Sequence, residues 1–421
     1  MHIPDGYLSP AFSLGLGVAT VPVWGVATKK VQKAMDNRTA PLLAVFSAFA
    51  FTVMMFNIPV PGGTTAHGVG GTLLAIVLGP WAAVIGVSVA LIIQALFFGD
   101  GGVLAIFANC LNMGVLLPFT GYGLYRLIAG NSSIMSTRRV WAAAIGGYAG
   151  ITLAGLAVGV ELGLQPILFR DAAGQAIYSP YGFGEAIPAM LIAHVFGASI
   201  VEGVITAFGL TYLRRTHPEY FAGVAGAADA GRGSYGPALV TVTLAGVVAL
   251  FVAGLVAGGG NPSGLFGADW ESVDWPGVAT MLLITGVLAA VLAPLAYFLL
   301  PKDIKTVGAT FVLLSVLAPL GLIAPGFAYG EGSAEDVQSA FGYVPEGLQR
   351  FSDFFSAPLK DYNLPLPFFA EADAPLWHQA VGYEISGMLG MLLVGVLAWG
   401  LAALLRKLGG GSHPTVEAPT G

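Results

Sequence analysis

Charge is what this chain has least of. Lysine, arginine, aspartate and glutamate make up 10% of its 421 residues, against about 25% in a soluble domain. With 56% hydrophobic residues and a mean hydropathy of +0.79, it reads as an integral membrane protein. Cysteine is scarcer still: Cys110 stands alone in an apolar run, which excludes a disulfide framework and a thiolate metal cluster. A cleavable leader is also missing from the reading. Residues 1–7 carry no positive charge, and the apolar run Leu8–Ala27 leads to Lys29, Lys30 and Lys33 without a small-residue cleavage pattern. A net charge of −6 argues against nucleic acid as a partner. No G-x-x-x-x-G-K-[ST] loop is present to cradle ATP. H-E-x-x-H and G-x-S-x-G are absent too, which leaves zincin and esterase chemistry without a scaffold.

What is present is a series of apolar runs. Crossing the hydrocarbon takes roughly 20 such residues per helix. The expected spans lie near 8–28, 40–57, 67–79, 80–98, 103–125, 138–160, 185–213, 237–257, 277–300, 304–327 and 384–405. The fold expected is an all-α, polytopic helical bundle of about eleven transmembrane helices, seven in a first half and four in a second. Of the 17 Lys and Arg, all but Arg170, Arg350 and Lys360 fall in loops on one side. The positive-inside rule then puts the N-terminus outside and the C-terminus in the cytoplasm. A Gly- and Ala-rich stretch, 216–236, preceded by Arg214 and Arg215, reads as a cytoplasmic linker between residues 1–215 and a hairpin of unknown role, 237–300. A further helix–loop–helix unit spans 301–407. Its outside loop, 328–383, holds eight acidic residues and five prolines, which argues against long helices across it. The tail 408–421 reads as disordered.

The chain starts Met1-His2, and the bulk of His2 favours retention of Met1. The Met1 amine, the His2 amide and His2 Nδ1 then close a five- and a six-membered chelate ring in one plane. Planar nitrogen sets suit Ni(II) or Cu(II), and in some circumstances Co(II); the competing reading is a frayed terminus. A fourth nitrogen is available on the same side. The loop Asn57-Ile-Pro-Val-Pro-Gly-Gly-Thr-Thr-Ala-His67 is stiffened by prolines and holds one imidazole at the mouth of a short glycine-rich helix. His67 alone is as readily an interfacial histidine bonded to a carbonyl. Asp5, Thr64 and Thr65 are the nearest acceptors for its second ring nitrogen.

Other polar residues lie within the spans. Asn109 and Asn112 share a helix face, either as interhelical glue or to orient an N-terminal segment that enters the bundle. His194 and Glu202 also share a face, either as an intramembrane functional pair or as structural groups bonded to their neighbours. Asp100 reads as a turn residue, and Gln94 and Met113 as packing. Two rival functions stay open: a metal sensor that never transports, and an intramembrane enzyme using His194 and Glu202, for which no nucleophile is evident.

The blocks MHIPDGYLSP, PVPGGTTAHGVGG, LGPWAAV, IQALFFGDGG and ANCLNMG together resemble the CbiM/NikM family, the substrate-binding (S) components of energy-coupling-factor transporters for cobalt and nickel. The resemblance covers about residues 1–215. It implies a seven-helix bundle into which the N-terminal segment tucks. It also implies a metal held by the terminal amine, the amide and imidazole of residue two, and the histidine after the Pro-Val-Pro-Gly-Gly loop: Met1, His2 and His67. Nickel or cobalt would then be the transported substrate. A transmembrane coupling (T) subunit and cytoplasmic ATPase subunits in the cell membrane would be the partners. The segment Val344-Pro-Glu-Gly-Leu-Gln-Arg350 resembles a degenerate copy of the loop motif of the small auxiliary (N) component, which implies a fusion of the two. The acidic loop is then expected to concentrate cations or gate the entrance, or else to be a solvated face.

Overall fold

The computed structural model describes residues 1–34, 39–60, 64–221, 224–226, isolated positions between 280 and 299, 318–323, 329–366 and 375–408. The expected spans 237–257 and 304–327, most of 277–300 and of the linker, and the tail lie outside or largely outside these residues.

Helices dominate what is described. They are α1 (Pro10–Ala34), α2 (Thr39–Met55), the short α3 (Gly71–Leu78) and α4 (Pro80–Ile93). A continuous run follows from α5 (Ile106–Asn109) into α6 (Leu117–Ala129). Next come α7 (Thr137–Leu168), and then α8 (Phe183–Ala193) and α9 (Ser199–Thr216) as one rod. Gly79, at φ +88°, separates α3 from α4, and Pro80 opens α4 where its missing N–H costs nothing. Ser136 caps α7 by accepting the Arg138 N–H. Five of these helical rods are long and apolar enough to cross a membrane: Pro10–Ala34, Pro80–Phe98, Thr137–Leu168, Phe183–Thr216 and Leu376–Leu408, which is α12 below. Leu14, Val18 and Val21 on α1 and Trp141 and Ile145 on α7 face outward, as lipid-facing side chains do.

Close packing uses small residues. A Cβ on Gly150 of α7 would meet the Leu117 carbonyl, and one on Gly147 would meet Thr206 and the Glu202 carbonyl. The backbones of α6, α7 and α9 therefore approach closely, as glycine allows in membrane bundles.

Three features depart from the sequence reading. The loop after α2 is a two-stranded antiparallel ribbon, β1 (Ile58–Val60) with β2 (Thr64–Ala66), pairing Ile58 with Ala66, so the chain is not purely helical. Three helices widen into π-turns, at Gln94–Phe98, Cys110–Leu116 and His194–Ala198. The last helix, α12 (Leu376–Leu408), begins eight residues before the expected 384 and shortens the acidic loop. That loop carries two short helices, α10 (Ala334–Phe341) and α11 (Glu346–Phe351), the first opened by a Ser333–Asp336 capping box. The start of the linker is folded as well: Pro218 and Phe221 are buried in a 3₁₀ turn.

Candidate metal centre

Residues 1–9 have no regular structure, yet Met1, His2, Ile3, Tyr7, Leu8 and Ser9 are all buried. Side chains from two elements replace the strand or helix that would otherwise satisfy their backbone. Asn109 grips Ile3 twice: its Oδ1 accepts the Ile3 N–H at 2.9 Å and its Nδ2 donates to the Ile3 carbonyl at 3.1 Å. The Ile3 carbonyl also accepts the Gly102 N–H at 2.8 Å. Asp5 accepts from the N–H groups of Leu104 at 2.7 Å and Val103 at 3.2 Å. Gln165 on α7 accepts the Ser9 N–H at 3.0 Å. Gly102 must be glycine, since a Cβ there would collide with Asp5.

This clamp delivers His2 against His67, with ring centroids 4.9 Å apart and planes tilted by 30°. Both rings are buried. His2 donates from Nδ1 to Asp100 Oδ1 at 3.1 Å, and burial beside the terminal amine pushes its pKa down to about 3, so the ring is neutral at pH 7. His67 donates from Nδ1 to the Gly68 carbonyl at 2.8 Å. Its second-nitrogen partner is thus a backbone oxygen and not Asp5, Thr64 or Thr65. With Nδ1 occupied, His67 Nε2 carries the lone pair, and it is buried without a hydrogen-bond partner, as is His2 Nε2. The Met1 amine acts electrostatically on both rings. It donates to Glu331 Oε1 at 3.4 Å.

Sequence spacing groups His194 with Glu202, and the structure gives them different partners. Glu202 accepts from the N–H groups of Val69 (2.8 Å), Gly70 (2.7 Å) and Thr72 (3.3 Å). It therefore holds the N-terminal end of α3, where a carboxylate is favoured, and fixes the backbone that follows His67. His194 donates from Nδ1 to the Met190 carbonyl. Asn112, expected beside Asn109 in one role, turns away to Glu161 at 2.8 Å.

Four participants were missed by sequence reasoning. Gln94, read as packing, donates to Asp100 at 3.1 Å and to Tyr362 Oη at 3.0 Å. Asp100, read as a turn residue, joins His2, Gln94 and Tyr362, whose hydroxyl donates to it at 2.6 Å. Glu331 and Tyr362 come from the acidic loop, more than 260 positions away from their partners. The same loop takes the Tyr7 hydroxyl at the Gly332 carbonyl, 2.8 Å, and donates from Leu359 N–H to Phe97. Burial raises Asp100 and Glu331 above the usual carboxylate range, and the nearby amine pulls both back. No local sequence signal marked these participants: the π-turn that Gln94 opens, a feature that recurs at functional sites, shows only in the structure.

Among the described residues no three His, Cys, Asp or Glu side chains are grouped to hold a metal by themselves. What is gathered is instead one amine and two imidazoles, all nitrogen and all buried, with Asp100 and Glu331 beside them. Neutral imidazole and amine donors suit late first-row divalent ions.

Fold and site together define a multi-span helical membrane protein with a buried nitrogen site at its N-terminal segment. The model of the cobalt uptake substrate-specific transmembrane region matches residues 2–220, and the chain belongs to that family. It is 37% identical over 97% of its length to the whole of a Rhodobacter capsulatus protein named fused nickel transport protein NikMN. A Chlorobium limicola protein named cobalt transport protein CbiM is 31% identical over 52% of this chain and 84% of its own length. A crystal structure titled as a truncated transition metal transporter matches at 56% identity, covering 51% of this chain and 98% of that one, with a TM-score of 0.48.

Proposed function

We propose that this chain captures Ni(II) or Co(II) outside the cell membrane, as the substrate-binding subunit of an ATP-driven energy-coupling-factor importer. The observation that carries the reading is the convergence of the Met1 amine, His2 and His67 in one buried pocket, with lone pairs left unpartnered. In this account the ion displaces Glu331 and one proton from the Met1 amine, and the proton from the His2 amide. Asp100 takes the His2 Nδ1 proton and returns it to Nε2 as the ring turns about its Cβ–Cγ bond. Nδ1, now carrying the lone pair, leaves Asp100 for the ion and closes the two chelate rings. His67 Nε2 supplies the fourth nitrogen. Glu202 and Asn109 act at one remove, holding the two backbones that carry the ligands.

Orientation follows from the distribution of Lys and Arg, which places residue 1 and loop 329–366 outside. The chain has no nucleotide loop, so partner ATPase and coupling subunits drive release inward. The C-terminal unit acts as a fused auxiliary component whose loop lies over the captured segment. Nickel is favoured by the planar strong-field donor set, and the full-length relative's name agrees. The test is titration of the purified chain with Ni(II) and Co(II), repeated with one Ala inserted between Met1 and His2. Loss of high-affinity binding supports the chelate, and unchanged affinity removes it.

A further inference from the structure

Three buried imidazoles share one pattern, and the capture site uses two of them. In His2, His67 and His194 alike, Nδ1 is tied to an oxygen and Nε2 is buried without a hydrogen-bond partner. A buried structural histidine ordinarily satisfies both nitrogens. In His194 the Met190 carbonyl, 2.7 Å from Nδ1, keeps the proton there and leaves the lone pair on Nε2. The place of this ring is built into the fold. His194 opens the π-turn between α8 and α9, and that turn packs against both strands of the ribbon that leads to His67. Gly155 on α7 leaves room for the imidazole, since any Cβ there would strike it. The Met1 amine acts electrostatically on His194, and His194 on His67. Yet His194 does not close with His2 and His67 on a single point. It is a neighbour of the capture square, not a member of it.

We propose that His194 Nε2 is a second, transient metal ligand, the donor that takes Ni(II) or Co(II) from His67 when the N-terminal segment lets go. The inference rests on the capture reading and adds a station beyond Met1, His2 and His67. The ring also sits well inside a helical rod, Phe183–Thr216, that is long and apolar enough to cross a membrane: His194 is eleven residues past its start, about 16 Å along the helix axis. A single neutral imidazole holds a divalent ion far less firmly than a four-nitrogen chelate, so the ion passes on.

The test uses the full chain with its own starting residue, as His194→Ala and His194→Gln. Cellular uptake of radioactive nickel by the intact transporter should fall at least about tenfold in both, while the purified chains bind Ni(II) within about threefold of the parent. A second measurement separates ligation from folding. With His2→Ala and His67→Ala combined, X-ray absorption of Co(II)-soaked protein should retain a weak imidazole signal that falls away when His194→Ala is added. Unimpaired uptake, an affinity loss that parallels the uptake loss, or a residual signal indifferent to His194 would each overturn the station. Absence of nickel binding by the parent chain would overturn the capture reading instead.

Discussion

The captured N-terminal segment has two sides, and they are held differently. On the deep side there are five bonds, three of them fully buried: Asn109 makes two to Ile3, Asp5 accepts two backbone N–H groups, and Gln165 takes Ser9. On the other side a loop from the far end of the chain makes single contacts, Glu331 to the amine at 3.4 Å and Gly332 to Tyr7 at 2.8 Å. In the proposed account the deep side sets geometry and the loop side sets access. In the proposed mechanism an arriving ion displaces Glu331 from the amine and Asp100 from His2, and leaves the deep clamp in place.

The largest break in this comparison comes from the ligand frame. His67→Ala removes the one donor not supplied by residues 1 and 2, and nickel affinity should fall about 1,000-fold, roughly 4 kcal/mol, by competition titration. Acid should act nearly as strongly. His2 is neutral down to about pH 3, so its ring releases no proton, and the displaced protons come from the Met1 amine and the His2 amide. Two protons lost per ion make affinity rise with pH by up to about 100-fold per unit. A pH-independent affinity between pH 6 and 8 would contradict that count.

Smaller effects sharpen the difference between the sides. Asn109→Ala leaves the Ile3 N–H and carbonyl without their clamp at a cost of about 2–3 kcal/mol. Equilibrium affinity should therefore drop roughly 30- to 150-fold, while the melting temperature of the bundle changes little. Glu331→Gln removes a partly exposed ion pair, worth about 1 kcal/mol or less. Affinity should stay within about fivefold while stopped-flow association quickens, because the amine no longer has to leave a carboxylate. An Asn109 variant that alters only rates, or a Glu331 variant that abolishes binding, would reverse the assignment of the two sides.

Much of the site was legible because its ligands are local. Met1-His2 offers a chelating set of nitrogens by adjacency alone, and the proline-stiffened loop to His67 is readable from composition and from the side on which it falls. Asn109 was visible as an amide in an apolar run. Gln94, Asp100, Glu331 and Tyr362 were not, because their roles depend on loop 329–366 folding back onto the bundle, a contact with no local sequence periodicity. The π-turns escaped for a related reason: the one at His194 answers to packing at Gly155 and the ribbon, and helix propensity encodes none of the three. The early start of α12 reflects tertiary override. Leu376-Trp-His-Gln-Ala-Val is weakly apolar, yet Ala380 and Tyr383 are buried, and the Tyr383 hydroxyl donates to the Met55 carbonyl at 2.7 Å.

The central claim is that the ion is held by four nitrogens of Met1, His2 and His67 in one plane. Optical and magnetic measurements on the nickel-loaded chain, beside the same chain extended by one residue at its start, test it most directly. The account predicts a yellow, diamagnetic Ni(II) complex in the first and no high-affinity complex in the second. A paramagnetic nickel centre that survives the extension would contradict it.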